Sequence, residues 1–197
     1  MANKEFDKLI SEDVRGREYC NLCKESKLKV GDRTDYRSII IYKNGDEKNG
    51  WFATLSPKTI GDAKKDFTIQ IMPIAHIKHI SELGASKELA KNYGLAFSQI
   101  SKTITKIMIE ENRHLENEEN VVRIGMYGKS KHLEEHLHIK LFPWEHPYVV
   151  DSTYENKEIQ MDEEGIEFVK MAPVKKVAID EKRIDYLAEK LIEILNE

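Results

Sequence analysis

Between residues 86 and 112 the apolar side chains Leu89, Tyr93, Ala96, Phe97, Ile100, Ile104, Ile107 and Met108 recur at intervals of three and four. That spacing puts them on one stripe of a long amphipathic helix, which must bury the stripe against another element. Ser86 is the expected N-cap, since its hydroxyl can accept from an unpaired backbone N–H of the first turn. Strands are predicted on both sides of the helix. The β-branched run Ile39-Ile40-Ile41 carries one over residues 37–43, and turn signals at Asn44-Gly45-Asp46 and Asn49-Gly50 lead into a second over 51–55. Phe67, Ile69 and Ile71 alternate with Thr68, Gln70 and Met72, predicting a half-buried strand that ends at Pro73. After the helix, residues 121–127 and 134–142 read as strands joined by the basic turn Gly128-Lys129-Ser130-Lys131. Short strands are expected over 148–179. Asp180 then caps a last helix with Ile184, Leu187, Leu191 and Leu195 on one face. Residues 3–14 read as a polar helical lead-in. This order predicts an α+β fold with an antiparallel sheet. With no repeat, low-complexity tract or linker, residues 1–197 are expected to form a single domain.

The charge balance limits what such a domain binds. Across 197 residues, 31 Lys+Arg face 35 Asp+Glu for a net charge of −4, so bulk binding to nucleic acid or anionic membrane is not expected. A phosphate site has to be local. The longest apolar stretch, Ile39-Ile40-Ile41-Tyr42, is far short of the roughly 20 residues that span a bilayer. No apolar region follows Met1-Ala2-Asn3-Lys4-Glu5, so a soluble, cytoplasmic protein is expected.

Cys20 and Cys23, the two cysteines of the chain, form one C-x-x-C. In a reducing compartment this spacing suggests metal or redox chemistry rather than a structural disulfide. A redox motif would open a helix after a strand, whereas this one follows a polar segment and precedes Lys24-Glu25-Ser26-Lys27. A metal site needs two more ligands.

The segment Glu134-Glu135-His136-Leu137-His138-Ile139-Lys140-Leu141-Phe142-Pro143 is the most informative one. On a strand, Leu137, Ile139 and Leu141 point to the core, and His136, His138 and Lys140 line the other face. Imidazole is a competent nucleophile near neutral pH, and an ammonium offsets charge on phosphate oxygens. Taken alone, the strand fits equally well a solvated polar face with two incidental histidines.

This alternation resembles that of the histidine triad (HIT) superfamily of nucleotide hydrolases and transferases, whose strand alternates three histidines with apolar residues. Ile71-Met72-Pro73-Ile74-Ala75-His76-Ile77 resembles the family's strand-Pro-x-x-His element, followed by a long helix. The resemblance covers residues 20 to about 145, with residues 150–197 as a C-terminal strand and helix extension. It implies a HIT-like antiparallel sheet and, from the zinc-containing branch, a structural zinc held by Cys20, Cys23, His76 and His136. Two thiolates and two imidazoles make a closed tetrahedral set, as in structural sites. His79 competes as third ligand, and the family register favours His76.

The resemblance further implies that His138 attacks an α-phosphorus to form a nucleotidyl-histidine, with His136 orienting it through a backbone carbonyl. The substrate implied is a nucleotide or dinucleoside polyphosphate. Three positions depart from the pattern. Lys140 stands where hydrolases usually carry a third histidine and transferases a glutamine. Thr68 stands five before the proline, where many hydrolases have histidine. Gly128-Lys129-Ser130-Lys131-His132 replaces the polar phosphate loop, leaving Lys129, Ser130, Lys131 and His132 as candidate substrate contacts. A hydrolase is the first reading. A nucleotidyltransferase or phosphorylase, similar to galactose-1-phosphate uridylyltransferase or diadenosine tetraphosphate phosphorylase, is the second. A non-catalytic, zinc-stabilised nucleotide-binding module is the third. The resemblance also implies a homodimer, to which the 89–108 stripe is expected to contribute. His114 and His146 are expected at the surface.

Overall fold

The run Ile39-Ile40-Ile41 opens the first strand, β1 (Ile39–Asn44), because branched side chains fit a pleated backbone. The computed structural model describes residues 20–59, 62–113, 122–125, 136–143, 157–161, 167–171 and 176–197, with 122–125, 157–161 and 167–171 described by backbone alone. A one-turn helix, α1 (Asn21–Glu25), precedes β1, and β2 (Trp51–Leu55) and β3 (Lys58–Thr59) follow it. Next come β4 (Ile69–Pro73), a 3-10 helix (Ile80–Ala85), the long helix α2 (Lys87–Glu110), β5 (Val122–Gly125) and β6 (Ile139–Pro143). The C-terminal part adds β7 (Lys157–Met161), β8 (Glu167–Met171), β9 (Val177–Ala178) and α3 (Glu181–Leu195). The predicted lead-in helix at 3–14 lies outside the described residues.

The main sheet has five strands in the order β1-β2-β4-β6-β5, and each neighbouring pair is antiparallel. The fold is therefore α+β with an antiparallel sheet, as the element order predicts. β3 pairs with β9, and β7 pairs with β8, in two small separate sheets.

Several boundaries differ from the predicted ones. Arg37 lies outside β1 with φ at 66°, a left-handed conformation incompatible with an extended strand. Pairing of β6 with β4 begins only at Ile139, opposite Ile71, so residues 136–138 lead into the strand rather than belong to it. Helix α2 starts at the predicted cap, with Ser86 Oγ accepting from Leu89 N, and ends at Glu110, just before Asn112 takes φ of 55°.

One face of the sheet carries the main core. Ile39, Ile41, Trp51, Ala53, Leu55, Ile69, Ile71, Ile139 and Leu141 pack with Leu89, Ala96, Ile100, Ile104, Ile107 and Met108 of α2. Each fully buried isoleucine, leucine or methionine among them contributes about 1.5–3 kcal/mol. α3 packs against both α2 and β1 through Ile184, Leu187 and Leu191. Arg183 of α3 also pairs with Glu111, the C-cap of α2, at 2.5 Å. Most of the α2 stripe is thus buried inside its own chain.

The second face is closed in part as well. Ile40, Phe52 and Met72 form a smaller buried cluster against Leu22, Leu28 and Ile74. Met72 is fully buried and Thr68 nearly so, so β4 is not simply half-buried; Gln70, between them, remains partly exposed. Leu22 lies within α1 and Leu28 three residues after its end, so α1 sits over this face of the sheet near Met72 of β4.

The β1–β2 connection is tight. A Cβ on Gly50 would lie 2.4 Å from the Asp46 carbonyl oxygen and 2.5 Å from that of Asn44. Asp46 Oδ1 accepts from the backbone N–H groups of Asn49 (2.7 Å) and Lys48 (2.9 Å). Ser86 Oγ donates to Asn49 Oδ1 and Asn92 Nδ2 to the Asn49 carbonyl, tying this turn to the start of α2. Among the described residues, no helix is long and apolar enough to cross a membrane.

Candidate metal centre and adjoining strand

Cys20 stands at the N-cap position of α1 without capping it through its side chain, and Cys23 follows three residues later. Residues three apart share a helix face, so one turn presents both sulfurs to the same side. His76 comes just after Pro73 closes β4, and His136 just before β6 opens. Leu137 N donates to the Ile77 carbonyl at 2.7 Å, which holds these two irregular segments side by side.

The four side chains converge. Cys20 Sγ and Cys23 Sγ each lie 3.5 Å from His136 Nδ1, and Cys23 Sγ lies 3.3 Å from His76 Nδ1. The two imidazole rings meet edge to face, their centroids 5.0 Å apart. All four ligand atoms lie within 4.8 Å of one another. For a tetrahedral ion with sulfur at about 2.3 Å and nitrogen at about 2.0–2.1 Å, neighbouring S and N atoms stand roughly 3.6 Å apart. The observed sulfur–nitrogen separations fit that edge, so these residues can hold a metal ion.

Protonation favours the same use. The Cys20 thiol is held down to about 2, chiefly by hydrogen bonding with the Cys23 thiol; burial opposes this, and His136 and His76 reinforce it. His136 Nε2 lies 2.8 Å from the Pro73 carbonyl oxygen, which can only accept. The Nε2–H therefore donates there, and the lone pair of Nδ1 faces the sulfurs. His79 is not part of the cluster. It caps the 3-10 helix, its ring Nδ1 accepting from Ser81 N while its backbone N–H donates to Glu82 Oε1.

His136 is only 2% exposed and turned into the cysteine cluster, whereas His138 and Lys140 are half-buried. Leu137, Ile139 and Leu141 all enter the main core, so His138 and Lys140 face the other way, as their alternation predicts. His138 Nδ1 lies 3.2 Å from the His136 carbonyl oxygen. Its N–H donates to that carbonyl, and Nε2 carries the lone pair.

No family model, curated protein or solved structure matches this chain. The reading of the site therefore rests on its own residues. Thr68 is occupied structurally: its hydroxyl lies 3.2 Å from that of Thr59, joining β4 to β3. Lys129, Ser130, Lys131 and His132, with His114 and His146, lie outside the described residues. One contributor is a backbone atom. The Pro73 carbonyl carries no side-chain signal at all. Gln70, a polar residue in Ile69-Gln70-Ile71-Met72, stands opposite Lys140 on the neighbouring strand.

Proposed function

We propose that the chain is a cytoplasmic, zinc-containing enzyme of the histidine triad type that cleaves nucleotide phosphoanhydride, phosphoramidate or phosphodiester bonds through His138. The observation that carries this reading is the bond from His138 Nδ1 to the His136 carbonyl, made by a residue whose own ring lies in the metal cluster. It selects the tautomer with the lone pair on Nε2, the form a nucleophilic imidazole requires.

Nε2 attacks the α-phosphorus. An N–P bond forms as the P–O or P–N bond to the leaving group breaks, and the leaving group departs with the bonding pair. Water, losing a proton, then cleaves the N–P bond and restores the imidazole. Lys140, two residues on along the same face, offsets charge on the non-bridging oxygens. Zinc, chosen by the two-thiolate, two-imidazole donor set, supplies folding energy and a fixed start to the catalytic strand. The dimer that the family resemblance implies would use a surface other than the α2 stripe.

One observation favours transfer as a second reading. Lys140 replaces the third histidine, and an ammonium at its ordinary pKa is a poor proton donor to a leaving group. A phosphate or sugar-phosphate acceptor would then resolve the intermediate. Mass spectrometry of the intact protein, after incubation with nucleotides and dinucleoside polyphosphates, tests both. A nucleotidyl adduct that maps to His138 is expected. Tight nucleotide binding with neither adduct nor turnover would instead leave a binding module.

A further inference from the structure

A polar row crosses the sheet on the face away from the main core. Thr54 of β2 pairs with Gln70 of β4, Gln70 with Lys140 of β6, and Lys140 with Gly125 of β5. Residues directly opposite one another in an antiparallel pair share a face, with Cβ atoms about 4.5–5.5 Å apart. Ile69 and Ile71 are fully buried on the core side, so the Gln70 side chain is committed to the face of His138 and Lys140.

Gln70 is conspicuous there. The residues flanking it along this face, Thr68 and Met72, are buried, and Thr54 beside it is buried too, yet Gln70 stays partly open. Its amide makes no hydrogen bond to another described residue. On its far side, beyond Lys140, Gly125 adds no side chain to crowd the row. His138 comes one residue before β6 opens and two before Lys140, between Leu137 and Ile139, which both enter the main core.

We infer that Gln70 is a phosphate-binding residue: its amide N–H donates to a non-bridging oxygen of the phosphoryl group that Lys140 holds and His138 Nε2 attacks. This rests on the nucleotide reading above and adds to it a residue of neutral, directional character. An ammonium alone attracts an anion without orienting it, while an amide fixes one oxygen and so turns the phosphorus towards the nucleophile.

Calorimetric titration of the zinc-loaded protein with ADP tests this, using Gln70→Leu and Gln70→Glu. Leucine removes the donor at similar volume. Glutamate keeps the shape, repels phosphate and neutralises Lys140. Binding is expected to weaken about tenfold in Gln70→Leu, as for loss of one hydrogen bond to a charged group, and further in Gln70→Glu. A purely structural role would lower the melting temperature without producing that order of affinities. If both variants bind ADP as the parent does, while the parent still forms the His138 adduct, the role of Gln70 is overturned and the nucleotide reading stands. If the parent binds no nucleotide, both fall together. Should one variant fail to fold, as judged by zinc content, the other decides.

Discussion

His136 Nε2 and the Pro73 carbonyl oxygen lie 2.8 Å apart, linking the end of one strand to the approach of its neighbour. Because proline closes β4 and the carbonyl has no ladder partner beyond it, that oxygen is available to set the tautomer of a buried imidazole. The ring's other nitrogen is thereby turned to two sulfurs from a helix more than a hundred residues earlier.

One zinc per chain is expected by elemental analysis. Cys23→Ser should abolish it and lower the melting temperature by about 10 °C, since the binding energy of such a site feeds into folding. His79→Ala should keep the metal, because His79 caps a 3-10 helix instead. A His79 variant that loses zinc while Cys23→Ser retains it would overturn the ligand set.

His138→Ala should eliminate adduct and turnover with zinc content unchanged, and Lys140→Ala should weaken phosphate binding or slow the reaction. Lys140→His separates the two catalytic readings. In a transferase it should shift products towards hydrolysis, while in a hydrolase only the pH profile should move. Product analysis with and without added phosphate acceptor makes the distinction, and full activity in His138→Ala would sink the covalent route.

Gly50→Ala should destabilise by roughly 2–4 kcal/mol in denaturant unfolding, because the added Cβ meets two backbone carbonyls that cannot move aside cheaply. A midpoint unchanged from the parent would show that the turn between β1 and β2 relaxes freely.

Asp46 in that turn is held below the usual carboxylate range by the backbone N–H of Asn49 first and Lys48 second. A depressed carboxylate stabilises the fold above its unfolded pKa, near 3.9, and loses that contribution as the pH falls through its folded value. Asp46→Asn should therefore be less stable than the parent at neutral pH. The deficit should shrink in acid, as followed by thermal melts across the pH range. A deficit independent of pH would mean that the charge plays no part.

Legibility in the sequence followed the kind of physics involved. Periodicity placed α2 and its Ser86 cap, the β2 bounds and α3 after Asp180, because each is set by local pattern and capping. It also put His138 and Lys140 on the face opposite Leu137, Ile139 and Leu141. It misjudged how closed the second face is around Met72, since that closure comes from Leu22 and Leu28 on a distant segment. The choice of His76 over His79 became physical only when His79 was seen engaged with Ser81 and Glu82.

The pairing of Ile69 with Leu141 and of Ile71 with Ile139 has a consequence for how this protein tolerates insertions. Side chains alternate with a period of two, so a one-residue slip of β6 would drive His138 and Lys140 into the hydrocarbon interior and expel Ile139 and Leu141 to water. The isoleucines and leucines beside His138 and Lys140 therefore act as a ratchet on their aim. A single amino acid added between Ile139 and Leu141 would not loosen that aim gradually; it would put the two sides of the insertion out of phase across the sheet.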